Sequence, residues 1–326
     1  MSTSSGSQAE VKRFGILGVA GFVAPRHLRA IHATGHELVA AVDPHDSVGV
    51  LDSYFPDARF FTEIERFDRH LEKLRRDPDR AGVDYLSICS PNYLHDAHVR
   101  LALRLHAHAI CEKPLVINPW NLDALADLEQ EFDRRVYTVL QLRLHPALMA
   151  LREDLARQSP GGRAKVCLTY ITRRGRWYEH SWKGSAEESG GVMMNIGIHF
   201  LDVLLWLFGN VEDSEVHLLQ SRKAAGKLEL VGATVQWFLS VDGNDLPAEA
   251  IAAGRHALRA FSIDGQQIDF TTGFEDLHTA LYRETCAGRG FGIEDARPSI
   301  ELVHAIRHSE IRSPQSATDC HPLLAE

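Results

Sequence analysis

From Lys12 onward, short apolar runs rich in β-formers alternate with helical stretches: RFGILGV, PRHLRAIHAT and ELVAAVD, then DYLSICS, HVRLALRL, HAICEKP and NLDALADLEQEF. Such alternation leaves few folds open, because each strand must leave the sheet, cross one face as a helix and return parallel to its predecessor. It predicts an α/β unit built on a parallel, doubly wound sheet over residues 12–140. Beyond VYTVLQLRLHP the runs lengthen into KVCLTYITRRGRWY, LELVGATVQWFLSV and HALRAFSIDGQQIDFTTG, joined by turn residues with no regular helices between them. We expect a second, α+β unit over 141–326 with a large, open-faced, mostly antiparallel sheet. The polar start, residues 1–11, reads as a disordered tail.

A length of 326 residues with 44% hydrophobic composition suffices for two cores. The net charge of -9 provides no global basic field for nucleic acid or an anionic membrane, so an anionic ligand needs a local cluster of cations. No run approaches the roughly 18 apolar residues of a membrane span, and the start lacks the apolar stretch of a secretory signal. The five cysteines are odd in number, widely spaced and form no CxxC pair, which argues against a disulfide framework or a zinc site and for a reducing cytoplasm. His95/His98 and His106/His108 lack a third ligand at suitable spacing, and no metal is expected.

The first strand runs into Gly18-Val-Ala-Gly21 and then a helix with Pro25 near its start, where a missing N–H costs little. Gly18 would let the backbone approach a pyrophosphate, Gly21 would allow close helix packing, and the helix N-terminus supplies amides and a positive dipole end. The dinucleotide fingerprint wants glycine at 16, 18 and 21. Position 16 is Ile, with Gly15 one place early. The second strand ends in Asp43, 22 residues after Gly21, where a carboxylate accepts hydrogen bonds from the ribose hydroxyls and repels a 2′-phosphate, favouring NAD. The same aspartate could simply open the turn DPHDS. The ends of DYLSICSPNYLH and HAICEKPL place Ser90, Pro91, Asn92 and His95 on one side of a nicotinamide and Glu112, Lys113 and Pro114 on the other, where open α/β sheets bind ligands.

In GGVMMNIGIHFLDVLLWLFG most of the surface is apolar, so the helix is expected to be buried nearly all round. Asn195, His199 and Asp202 interrupt it at i, i+4 and i+7 and share one face. Three buried polar side chains would cost several kcal/mol without partners or a ligand. Oxidation of a carbinol needs a base for the hydroxyl proton and a donor for the developing oxyanion. His199 as base, Lys113 polarising the oxygen and Asn195 orienting it satisfy this need. The reverse assignment, with Lys113 as base, stays open.

In this order, the glycine turn, SPN at 90–92, EKP at 112–114 and NIGIHFLD resemble the Gfo/Idh/MocA oxidoreductases, whose fold is a Rossmann domain followed by an open-faced sheet domain. Many members carry Asp where this chain has Asn195. Ala20–His27, Cys89–His95, Ile110–Leu115, Gln141–His145, Arg174–Gly184 and Asn195–Asp202 are similar to blocks of the UDP-2-acetamido-2-deoxy-D-glucuronate (UDP-GlcNAcA) 3-dehydrogenases of O-antigen sugar biosynthesis. The resemblance implies an NAD-dependent enzyme with Gly18, Ala20, Gly21, Phe22, Asp43, Ser90, Pro91, Asn92, His95, Glu112, Lys113 and Gln141 around the cofactor. It also implies UDP-linked N-acetylglucosaminuronic acid as the substrate, oxidised at C3, 2-oxoglutarate as a candidate hydride acceptor, and a homotetramer formed through the open sheets.

The residues themselves agree with an anionic ligand. TRRGRWYEHSWKG packs Arg173, Arg174, Arg176 and Lys183 among Trp177, Tyr178 and Trp182, guanidinium groups for diphosphate or carboxylate and rings for a sugar or base face. Strand alternation would send Arg173 and Arg174 to opposite sides, leaving Arg174, Trp177, Tyr178 and Lys183 with Asn195 and His199 as the substrate set. The segment GFEDLHTALYRETCAGRGFGIEDARPSIELVHAIR is also similar to the C-terminal pattern of the same enzymes, and that resemblance implies that His278 and Tyr282 face the substrate. A dehydrogenase of a free polyol or aldose, or a silent NAD(H) sensor, are the other readings. The first leaves the basic cluster unexplained, and the second would be expected to lose Lys113 or His199.

Overall fold

In the computed structural model the described residues are 10–157, 162–270, 272–314, 316 and 319–325. Of the tail expected at 1–11, residues 1–9 lie outside them. The first half runs β1 (Arg13–Leu17), α1 (Ala24–Ala33), β2 (Glu37–Val42), β3 (Arg59–Phe61), α2 (Ile64–Arg76), β4 (Tyr85–Ile88), α3 (His95–Arg104), β5 (His108–Cys111), α4 (Trp120–Phe132) and β6 (Val136–Thr138). The strands lie in the order β3-β2-β1-β4-β5-β6 and all pair in parallel. Period-2 alternation lets β1 feed two cores: Phe14 and Ile16 pack with Leu28 and Ile31 of α1, and Leu17 with Leu86 and Ile88. Strand order reverses between β1 and β4, so the crevice at their carboxyl ends is where a ligand is received.

The second half comprises α5 (Pro146–Arg157), β7 (Ala164–Thr172), α6 (Ala186–Ser189), α7 (Ile198–Phe208), β8 (Val211–Leu219), β9 (Lys223–Leu230), β10 (Ala233–Ser240), α8 (Ala248–Ala252), β11 (Ala257–Ile263), β12 (Gln266–Gln267), α9 (Leu277–Cys286), α10 (Ile293–Arg307) and α11 (Pro322–Ala325). Its sheet, β12-β11-β7-β10-β9-β8, is antiparallel except where β10 meets β7. Two sequence runs resolve differently from expectation. LELVGATVQWFLSV is the end of β9, a turn at Val231-Gly232 and β10, and RGRWY leaves the sheet as a 3-10 turn, Arg176–Tyr178. Phe200, Leu201 and Leu204 of α7 share a core with Val235, Trp237 and Leu239 of β10. The other face is not wholly open: Leu323 and Leu324 of α11 pack against Ile171, Phe238 and Leu246, and the His321 ring stacks on Phe238.

Contrary to expectation, the helical stretch Ala186–Phe208 is long and apolar enough to cross a membrane, but 67% of its most apolar window is buried inside the protein. Its apolar surface is taken up by the core. The stretch also departs from a regular helix, since Met193–Gly197 forms a π-helical turn before α7 begins.

Asp202 does not share the cleft-facing stripe expected of it. It is buried in a two-pronged ion pair, Arg143 Nη2 to Oδ1 at 2.7 Å and Nε to Oδ2 at 3.0 Å. Arg143 reaches Asp295 of α10 as well, at 3.1 Å, so one guanidinium joins the turn after β6 to α7 and α10. Arg143→Met should lower unfolding free energy by about 3–5 kcal/mol, because it strands the Asp202 carboxylate in the interior. Denaturant titration should also show part of that loss recovered when Asp202→Asn is added.

Candidate active site

The carboxyl ends of β1, β2, β4 and β5 open into a cleft of about 1370 Å³ that continues onto β7, β11 and the start of α7. That exceeds the roughly 300–1,000 Å³ of a typical small-molecule site, leaving room for a dinucleotide and a second ligand. Gly18, Ala20, Gly21, Phe22, Asp43, Ser90, Pro91, Asn92, His95, Glu112, Lys113 and Gln141 line it, as do Arg174, Trp177, Tyr178, Lys183, Asn195 and His199, whereas Pro114, expected beside the nicotinamide, does not.

At the glycine turn the constraint on Gly18 is the neighbouring chain. Its φ is +81°, and a Cβ there would stand 2.6 Å from the Ser90 nitrogen and 2.7 Å from the Cys89 carbonyl. The crossing of β1 and β4 therefore forbids a side chain. The Asp43 carboxylate accepts from the backbone N–H of Ala20 (3.0 Å) and of His45 (2.9 Å), tying β2 to the turn while lining the cleft. Across the cleft, the Gln141 Oε1 is buried without a partner among the described residues. A cradle that only glycine fits, a carboxylate at the end of β2 and an orphaned amide oxygen suit a dinucleotide bearing a carboxamide.

Several cleft residues have their polar atoms committed elsewhere. Both ring nitrogens of His95 meet backbone carbonyls, of Pro114 at 2.6 Å and Ser90 at 2.9 Å, bracing the SPN loop to the EKP loop. Asn92 donates to the Ser189 carbonyl (2.9 Å). Ser90 Oγ meets His98 Nδ1 at 2.8 Å, and burial pushes the His98 ring down to about 4.

Glu112 lines the cleft, but its carboxylate is engaged by two histidines. Its Oε1 accepts from His27 Nε2 at 3.0 Å and His278 Nε2 at 3.2 Å. Burial opposes its charge, yet those bonds outweigh burial and hold the carboxyl well below its ordinary range. Burial keeps His27 neutral, so its Nδ1 accepts from Tyr282 Oη at 2.7 Å, and that hydroxyl meets Ser87 Oγ at 2.6 Å. Tyr282, expected to face the substrate, is instead wholly buried behind Glu112. His278 does line the cleft. The ligand atoms of His27, Glu112 and His278 lie within 4.8 Å of one another, a spacing that could hold a metal ion, but the group already closes as N–H to carboxylate bonds. Residues separated by 85 and 166 positions gave no sequence signal for this cluster.

Lys113, whose peptide bond to Pro114 is cis, directs its Nζ to the Asn195 carbonyl at 3.0 Å. That carbonyl lies in the π-helical turn, a feature frequent at functional sites. Burial lowers the Lys113 ammonium below its ordinary value, Lys183 and Arg174 push the same way, and Glu112 opposes them. His199 is driven well below its usual value by burial and then by Lys113. Asn195 Nδ2 donates to Tyr178 Oη and the Lys183 carbonyl, both at 3.2 Å, so the amide steadies the basic loop. Arg173 lies beyond the end of β7 and packs on Gly243, while Arg174 lines the cleft. The two part ways in a loop, and strand alternation is not the cause. Lys183 Nζ sits over the rings of Trp177 and Trp182.

Arg259 of β11 was missed by the sequence reading. It lines the cleft with its guanidinium over the Phe274 ring (4.9 Å) and the Tyr170 ring (5.5 Å). Nothing in HALRAFSI separates this arginine from a solvated strand residue, and only the register that sets it opposite Tyr170 reveals it.

A doubly wound parallel sheet with a glycine cradle and a lysine at the end of β5, joined to an α/β unit that brings a histidine to the same cleft, defines a two-part nicotinamide-dependent oxidoreductase. The chain belongs to the Gfo/Idh/MocA oxidoreductase family: residues 12–140 match its NAD-binding Rossmann fold and 164–239 its C-terminal alpha/beta domain. It is 48% identical to the WlbA (WbpB) dehydrogenase from Thermus thermophilus, with a TM-score of 0.91 over 96% of this chain and 99% of that one. That protein has been solved in complex with NAD and UDP-GlcNAcA, and with NAD and alpha-ketoglutarate. D-glucoside 3-dehydrogenase from Escherichia coli is 28% identical over 130 residues, 39% of this chain and 36% of that protein. The chain thus spans about a third of that curated relative.

Gly18→Ala should weaken NAD binding about fivefold or more, since strain of about 1–3 kcal/mol must be relieved by moving the Cys89–Ser90 backbone that borders the cofactor. Titration of the protein's intrinsic fluorescence with NAD checks this, and unchanged affinity would show that the turn has another way to adapt.

Proposed function

We propose that this chain is an NAD-dependent dehydrogenase that oxidises the C3 hydroxyl of the sugar ring of UDP-linked N-acetylglucosaminuronic acid to the 3-keto sugar, in the synthesis of O-antigen sugars. One observation carries the reading. Beside Lys113 and His199, an acidic chain gathers Arg174 and Lys183, neither of which pairs with a carboxylate among the described residues, next to Trp177 and Tyr178. A nucleotide sugar presents matching charges and faces. The 48% identity to a dehydrogenase solved with that ligand supports it. A free polyol would leave these cations without a role. We further propose a cytoplasmic homotetramer, with residues 12–140 holding the cofactor and 141–326 the substrate.

NAD, when bound, accepts the hydride from C3. Of the two candidate bases the electrostatics favour Lys113. A ring held well below its usual value, as His199 is, is a weak acceptor, whereas a lysine lowered toward working pH is a competent one. The Asn195 carbonyl aims the amine, the hydroxyl proton passes to Nζ, and neutral His199 hydrogen-bonds the reacting oxygen. Asn195 itself keeps the basic loop in register over the ring. 2-Oxoglutarate, reduced to the 2-hydroxy acid, would return the cofactor to its oxidised form.

Calorimetric titration of the NAD-loaded protein with UDP-GlcNAcA, myo-inositol and glucose, followed by absorbance of NADH with and without 2-oxoglutarate, tests the assignment. Binding and NADH formation with the UDP-sugar alone are expected; turnover of a free polyol instead would discard the substrate. Lys113→Ala and His199→Ala should each reduce turnover about a hundredfold or more. Because the neutral amine is the active form, kcat/KM should rise with pH and level off below the ordinary lysine value of about 10.4. His199→Asn should lower the plateau yet keep that rising limb, and Lys113→Ala should remove it.

A further inference from the structure

A pyranose oxidised at C3 carries its diphosphate on C1 and its carboxyl group on C5, each two ring carbons from the reacting centre. A site that grips both anions must therefore set cations on both flanks of its catalytic pair. Arg174 and Lys183 lie in the segment that follows β7, with Lys183 over the rings of Trp177 and Trp182. Arg259 lies on β11, over the rings of Tyr170 and Phe274, in the same cleft. Arg259 pairs across from Tyr170 within β7, whereas Arg174 lies beyond the end of that strand at Thr172, so the two guanidinium groups are carried by different elements of the cleft.

Resting on the substrate class proposed above, we infer that Arg259 is the receptor for the sugar's carboxylate and the residue that selects a uronic acid over the neutral hexose. Three features support it. Among the described residues no acidic side chain forms an ion pair with Arg259, although it faces a deep cleft. The Phe274 and Tyr170 rings hold its planar group in place from the apolar side, which leaves its donor edge for the forked hydrogen bonds a carboxylate accepts. The other cations, Arg174 and Lys183, lie with the half-exposed Trp177, a set of charges and rings suited to the larger nucleoside diphosphate, which leaves Arg259 for the smaller anion.

The test is calorimetric binding of UDP-GlcNAcA and of UDP-N-acetylglucosamine, which has CH2OH in place of the carboxylate, to NAD-loaded wild type, Arg259→Met, Arg259→Lys and Arg174→Met. Wild type should prefer the uronate. Arg259→Met should lose affinity for the uronate by about tenfold or more while holding the neutral sugar within about twofold, and Arg259→Lys should recover part of the preference. Arg174→Met should weaken both ligands alike. An intact preference in Arg259→Met, or an equal loss of both ligands, overturns the assignment. Unchanged NAD binding in that variant shows that its fold is intact. Failure of wild type to bind either nucleotide sugar overturns the substrate class itself and is read before any variant.

Discussion

Everything at the reacting end depends on one buried carboxylate. Glu112 closes β5, and the two imidazoles that clasp it come from α1, which opens on the glycine turn, and from α9, near the far end of the chain. An ionised carboxylate with little water around it is tolerable only with donors of this quality. Once formed, the clasp fixes the helix beneath the cofactor, the loop that bears Lys113 and the closing helix relative to one another. Tyr282 and Ser87 extend it, so both ring nitrogens of His27 and the Tyr282 hydroxyl have partners. Lys113 is consequently aimed by backbone on both sides, by the loop that follows Glu112 and by the Asn195 carbonyl.

The charge arrangement follows from this clasp. Because the histidines engage its carboxylate, Glu112 forms no ion pair with the cations of the cleft, although its charge still opposes the lowering of Lys113, and Lys113, Arg174, Lys183 and Arg259 are left to act on a ligand. Repulsion from Arg174 lowers Lys113 and Lys183 beyond the effect of burial, and Lys183 adds to it at Lys113. An anionic substrate relieves that repulsion as it binds, so affinity and the readiness of the amine to take a proton are linked through the same three groups.

The parallel sheet was legible because strand–helix alternation and the ends at Asp43, Ser90 and Lys113 are local patterns, and a local pattern is enough to find the edge where a doubly wound sheet binds its ligand. The second sheet was legible as a class but not in its joints. LELVGATVQWFLSV hides a turn because Gly232 between two apolar runs looks the same in a continuous strand. Asp202 was misplaced because helical spacing shows which residues share a face, not what that face meets; Arg143, 59 positions away, claims it. Tyr282 was misplaced, and Arg259 and the histidine clasp were invisible, for the same reason. Their meaning comes from partners brought together by tertiary packing.

The π-helical turn at Met193–Gly197 has a further implication for how this segment can change. A π turn is an α-helix carrying one residue too many, and its looser hydrogen bonds invite removal of the surplus. Deleting one residue would straighten the rod, yet it would also rotate Asn195 by about 100° against His199, swinging the carbonyl away from Lys113 and the amide away from the basic loop. The segment is thus locked into an imperfect winding by what its two ends must touch, and substitutions that merely favour helix formation have no route to repair it. In this chain the length of the sequence between Gly190 and Gly209 is as much a part of the site as the identity of the residues within it.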